Sequence, residues 1–274
     1  MTATAPPEDP KDAPVNATAQ PYADQPMSIL DHLRELRTRL AVSMGALLVG
    51  FVVSTFLPIP FGGSDPNQVI VAPLPGTTTI TSEVIRILLI PVQDHVQAIR
   101  PGEVLFTYFK VALFTGAGLA MPIMIYQIML FVLPALLPHE KRYLFMGLPG
   151  VFLSFLVGVA FGYIVLLPFA IGFLLKFGSG IIEQKWAFTE YLETITSLLF
   201  WMGVAFEMPL IIYFLTKLGV VSVQRLTRLR RYVFVLAFVV GAFITPTPDP
   251  FNQTLVSVPL YLLFELGILL ARLA

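Results

Sequence analysis

The chain has 274 residues, of which 56% are hydrophobic and 12% charged, and its formal net charge is zero. Water-facing domains carry about 25% charged residues. Half that density, with a mean hydropathy of +0.81, excludes an ordinary soluble fold and makes lipid the solvent for most of the chain. Balanced charge gives no support for nucleic acid as a partner. The absence of cysteine removes disulfides, thiolate metal sites and a cysteine nucleophile. The three histidines, His32, His95 and His139, show no ligand spacing, so no metal or cofactor is expected.

In chain order, residues 1–27 are rich in Ala, Pro and Asp and read as a disordered cytoplasmic tail. No apolar stretch follows a basic start, so a cleaved leader is not expected there. The segment SILDHLRELRTRL (28–40) offers Ser28 as an N-cap with Asp31 in an acidic first turn. Ile29, Leu33, Leu36 and Leu40 recur at helical spacing, and Asp31, Arg34, Glu35, Thr38 and Arg39 take the other side. This is an amphipathic helix that could lie at the membrane surface and run into a first span over 40–57.

Segment 58–103 is too interrupted by Pro and Gly to cross a bilayer and is expected to form an extramembrane cap, with a short helix or strand around ITSEVIRILLIPV. The second span, 104–133, exceeds the ~20 residues a bilayer needs, so it is tilted or projecting, with a kink at Pro122. A loop over 134–143 precedes a third span over 144–177, with bends at Pro149 and Pro168, and a second outer loop runs over 178–193. The fourth span covers 195–218. The fifth apolar run, 232–244, has only 13 residues, roughly 20 Å at ~1.5 Å per residue against a ~30 Å hydrocarbon core. After the turn TPTPDPFNQ comes a sixth run over 254–270, also short at 17 residues. Two adjacent short helices either thin the bilayer or are shielded inside the bundle. The fold class is thus an all-α integral membrane protein with six transmembrane helices, its membrane domain over 28–272.

Orientation follows from the basic residues. Eleven Lys and Arg fall to one side, in the N-terminal helix, the loops after the second and fourth spans, and the tail; the opposite side has Arg86, Arg100, Lys176 and Lys185, with Lys110 near the start of the second span. Both termini are expected to face the cytoplasm.

Candidate chemistry rests on a few carboxylates. Glu35 and Glu140 both belong to the basic side, where a carboxylate can accept a bidentate guanidinium. Glu35 is equally placed for an i,i+4 pair with Arg39 on a solvated helix face, and Glu140 for an ordinary loop charge. Glu207 falls mid-span in MGVAFEMPLIIY, where an ionisable group is expensive and a functional candidate by default; a protonated structural role is the alternative. Glu265 lies two turns before Arg272 and reads either as functional or as a snorkelling pair with it. Asp249 and Gln253 suit capping of the outer turn. No Ser/His/Asp set, P-loop or dinucleotide turn is present, so an enzyme is not expected.

HLRELRTRL (32–40), GEVLFTYFKVAL (102–113), MPIMIYQIMLFVLPALLPHEKRYL (121–144), GVAFEMPL (203–210) and the closing RRYVFVLAFVVGAFITPTPDPFNQTLVSVPLYLLFELGILLAR (230–272) occur together in an order that resembles the TatC family. Arg100-Pro101 departs from the family's usual Ser-Pro, with Glu103 following at the family's spacing. The resemblance implies a concave, glove-like bundle, N-in and C-in, in the inner membrane, binding twin-arginine signal peptides of folded cargo. It implies that Glu35 and Glu140 receive the arginine pair, with Arg37 and His139 in the same surface, and that Glu207 lines the cupped face. It marks Glu103, Lys110, Tyr126, Gln127, Phe131, Asp249 and Gln253 as further motif positions, while Glu265 stands with Glu207 as an intramembrane functional candidate. The short fifth and sixth helices would dock TatA- and TatB-type single-span subunits, with self-association in the receptor complex and transport driven by the proton-motive force. A proton-coupled carrier of a small solute using Glu207 is the competing expectation.

Overall fold

A computed structural model describes residues 29–59, 78–92, 95–132, 138–176, 185–245 and 249–273; the side chains of Ile29, Asp31, Val132 and 138–146 fall outside that description. The tail over 1–27, and the Ser28 cap with Asp31, therefore lie outside the described residues. The elements are α1 (Ile29–Phe56), α2 (Ile80–Leu89), a 3-10 turn (Ile90–Val92), β1 (Val96–Gln97), α3 (Glu103–Val132), α4 (Pro138–Phe161), α5 (Leu167–Lys176), β2 (Trp186–Ala187), α6 (Phe188–Phe206), α7 (Met208–Lys217), α8 (Val223–Ile244) and α9 (Pro250–Ala271). Among the described residues five stretches are long and apolar enough to cross a membrane: His32–Phe56, Glu103–Phe131, Gly147–Lys176, Phe188–Lys217 and Pro250–Ala271. The exception is α8, whose first turns carry Arg225, Arg228, Arg230 and Arg231, leaving the short apolar run expected from the sequence.

The amphipathic segment runs into the first span, as its pattern allowed, in one 28-residue helix, but other boundaries move. The loop expected over 134–143 gives way to helix at Pro138, where proline's fixed φ and missing donor suit a first turn. Likewise helix replaces loop from Phe188. The third span is interrupted by a π turn, Gly162–Leu166, just before Pro168. Widening the helix there relieves the clash of a proline ring with the carbonyl four residues back. Pro122 by contrast lies inside a helix that stays continuous. The fourth span is two helices, broken at Glu207, because Pro209 at the start of α7 cannot donate to the preceding turn; Ser154 Oγ donates to the Phe206 carbonyl there at 2.7 Å.

The chain folds back on itself antiparallel. Along α1 and α3, His32 stacks on Phe131, Arg39 bonds Gln127, Gly50 abuts Gly116, and Ser54 Oγ donates to the Ala112 carbonyl. Along α4 and α6–α7, Gly147 meets Phe214 and Gly162 meets Leu199. Along α8 and α9, Arg230 pairs with Glu265 and Gly241 abuts Ser257. The starts of α1, α4 and α8 and the ends of α3, α7 and α9 therefore share one end of the bundle. α1 packs on α3; α3, α4 and α6 pack on one another; α7 packs on α9, and α9 on α8. Lys110 and Phe114 of α3, Glu193, Thr194 and Ser197 of α6, and Phe243–Thr245 at the end of α8 line a cleft between these helices.

The other end is covered by α2 and by the two-residue parallel pairing of β1 with β2. Polar groups fasten this cap. The Tyr108 hydroxyl donates to the Thr55 carbonyl at 3.0 Å and lies 2.7 Å from Thr79 Oγ1, and Tyr191 donates to the Leu88 carbonyl at 2.8 Å. Glu103 is the central knot. Its Oε2 accepts from the amides of Ile99 (2.7 Å) and Arg100 (2.8 Å), and its Oε1 from the Thr189 amide (2.9 Å), an otherwise unpartnered donor in the first turn of α6. Charge-assisted bonds of this kind are about twice as strong as neutral ones. Glu103→Ala is expected to cost about 2–3 kcal/mol and Glu103→Gln roughly half that. Unfolding in detergent micelles followed by the fluorescence of Trp186, which stacks on Tyr191, measures both; equal stability of all three proteins contradicts the assignment.

Candidate functional site

The uncapped end collects the sequence's cytoplasmic-side candidates. Glu35 lies two turns into α1 and Arg39 one turn further. Arg39 Nη2 and Nε donate to Glu35 Oε1 at 3.1 and 3.4 Å, and Nη1 donates to Gln127 Oε1 of α3 at 3.2 Å. The i,i+4 pair that spacing allowed is thus present, extended across helices by a glutamine. Glu35 keeps 20% of its side chain exposed and Arg39 31%. One turn toward the N-terminus, His32 stacks on Phe131 with ring centroids 4.5 Å apart. Arg37 is exposed on the same helix, and Tyr126 packs beside the cluster of Met121, Ile125 and Met129. Glu140 and His139 sit in the first turn of α4, whose backbone begins at this end; their side chains lie outside the described residues.

The other candidates do not join this group. Glu207 is fully buried, and neither carboxylate oxygen has a hydrogen-bond partner among the described residues. It sits at the break between α6 and α7. Burying an unpartnered polar group costs several kcal/mol; packing alone gives no reason to keep it. Glu265 is paired, but not with Arg272. Its Oε2 accepts from Arg230 Nη2 at 2.7 Å and its Oε1 from the Tyr261 hydroxyl at 2.9 Å. Helical spacing along α9 could not reveal a partner on α8. Lys110 pairs with Glu193, a partner that also went unread because it lies on a different helix. Asp249 caps α9 through the Asn252 amide at 2.8 Å, and Gln253 Nε2 donates to the Phe238 carbonyl at 2.9 Å, tying α9 to α8.

A family model described as Sec-independent protein translocase protein (TatC) matches residues 31–259. The chain belongs to the TatC family. Its relatives bearing the name Sec-independent protein translocase protein TatC include those of Deinococcus radiodurans, 34% identical with 99% of this chain and 94% of the relative covered, and Aquifex aeolicus, 34% identical with 90% and 96% covered. A solved crystal structure of a twin-arginine translocase receptor, TatC, superposes with a TM-score of 0.71 at 34% identity, covering 88% of this chain and 98% of that one. The fold is therefore the multi-spanning TatC bundle, and the chain is a protein-translocase subunit, a transport component and not an enzyme. The carrier of a small solute is set aside on that ground.

Proposed function

We propose that this chain is the signal-peptide receptor and assembly core of a twin-arginine translocase in the inner membrane. Both termini face the cytoplasm, and Glu35 and Glu140 clasp the arginine pair of a signal peptide. The observation that carries this reading is topological. The start of α1, with Glu35 still partly exposed, shares one end of the bundle with the first turn of α4, which carries Glu140, and with the basic start of α8. Basic residues concentrate on cytoplasmic loops, so that end is the cytoplasmic one. A guanidinium stays charged at all relevant pH and presents a planar fork, which two carboxylates at a lipid–water boundary can grip. Arg37 and His139 border the same surface. The apolar part of the signal then follows the helices inward. The short apolar run of α8 and the adjoining α9 serve as the docking region for TatA- and TatB-type subunits, copies of the chain associate in the receptor complex, and the proton-motive force drives transport.

Photo-crosslinkers placed beside Glu35 and Glu140 test the clasp. A twin-arginine peptide is expected to label roughly tenfold more than its Lys-Lys counterpart, and Glu35→Gln or Glu140→Gln to remove that labelling while the protein still inserts. Equal labelling by both peptides overturns the reading.

A further inference from the structure

The receptor carboxylate is already half occupied. Both contacts from Arg39 fall on Oε1 of Glu35, and Oε2 receives no donor from the described residues. The third guanidinium bond goes to Gln127, a buried residue of α3. An isolated i,i+4 pair on a helix face needs no such anchor. Here the glutamine holds the guanidinium from across the helix seam, and it stays available to Arg39 if Glu35 is taken away. The side chain that sits on Glu35 thus carries the same chemical group as the ligand.

We propose that Arg39 is a resident guanidinium, which a signal-peptide arginine displaces from Glu35, and that this competition sharpens the choice of arginine over lysine. The inference rests on the receptor reading above. An incoming guanidinium can lay two parallel N–H groups on the two carboxylate oxygens, a better geometry than two contacts on one oxygen. It can therefore win the exchange, and Arg39 keeps the Gln127 oxygen and is not left unpaired. An ammonium offers a compact point charge without the fork. It reaches only the open Oε2 and does not evict Arg39. The resident residue thus raises a threshold that arginine clears and lysine does not.

The test uses the full-length protein in detergent micelles, with labelled Arg-Arg and Lys-Lys signal peptides and binding read by fluorescence anisotropy. Arg39→Gln is expected to tighten Arg-Arg binding roughly two- to fivefold, the range in which partly exposed ion pairs fall. Lys-Lys binding tightens more, so the ratio between the two peptides shrinks. Arg39→Lys, which keeps the charge and loses the fork, shifts both in the same direction by less, and it serves if Arg39→Gln does not fold. Arg34→Gln removes the same charge from the same helix and is expected to leave the ratio unchanged. Weaker or unchanged Arg-Arg binding in both Arg39 variants, or an Arg34→Gln variant that matches Arg39→Gln, overturns the proposal. A wild-type affinity that Glu35→Gln does not alter overturns the receptor reading itself; intact dependence on Glu35 with no effect at Arg39 removes only the exchange.

Discussion

Gly116→Val is expected to separate α1 from the rest of the protein. A Cβ on Gly116 would stand 2.5 Å from the Phe51 backbone nitrogen and 2.7 Å from the Gly50 carbonyl carbon, and a Cβ on Gly50 would run into the Gly116 carbonyl oxygen. These neighbours are main chain, so no rotamer change can absorb the collision; the helices must move apart. Overpacking against side chains costs about 1–3 kcal/mol and more where nothing can yield, so a loss of about 3 kcal/mol or more is expected. The seam matters unusually because α1 has little else. Only 17% of its most apolar window is buried inside the protein, and its packing is on α3 with a smaller contact to α2. Moving the seam also pulls Arg39 from Gln127, so the surroundings of Glu35 loosen with the helix. Thermal unfolding in micelles measures the effect, and Gly150→Val, where an added Cβ meets nothing within 4 Å, should change stability by less than about 1 kcal/mol. Matching stabilities for the two variants contradict the account.

The second large effect concerns Glu207. Glu207→Gln keeps the shape of the buried side chain and is expected to leave signal-peptide binding intact while export of a folded reporter falls tenfold or more. Glu207→Leu removes an unpartnered polar group from a site with 0% exposure. It should raise stability by about 1–2 kcal/mol, with export equally lost, the trade expected where a costly group is kept for activity. Export into membrane vesicles and unfolding in micelles provide the two readouts. Undiminished export by Glu207→Gln ends the functional assignment; an unstable Glu207→Leu protein means that the carboxyl has a structural partner in the membrane.

What the sequence made legible was set by the range of the interactions. Apolar runs locate the spans because each is a local property, and the basic start of α8 already explained why its apolar part is short. Breaks inside spans were only half legible. Proline pointed to the π turn before Pro168, but whether a helix answers by a π turn, by a full break as before Pro209 or, as at Pro122, simply continues depends on neighbours such as Ser154. Partners of charged groups were the least legible. The pairs Arg39–Gln127, Lys110–Glu193 and Arg230–Glu265 each join two different helices. Spacing along one helix instead proposed Arg272 for Glu265. Glu103 could be singled out from its motif, yet its three backbone donors come from loop and α6 positions that only the fold brings together.

The pair formed by Lys110 and Glu193 marks where the cleft beside it is wet. Lys110 lies seven residues beyond the first residue of α3 and Glu193 five beyond that of α6, roughly 8–10 Å of rise at ~1.5 Å per residue. Their side chains are 55% and 35% exposed, and ions that open to their surroundings are held in hydrocarbon only at a steep cost. Hydration must therefore reach down to them, at the level where α8 also stops. With 30 residues, α3 is about 45 Å long at ~1.5 Å per residue, about 15 Å more than a ~30 Å hydrocarbon layer, and a rise of that size from the helix starts fits within the excess, so the ion pair stands in the wet part of the cleft.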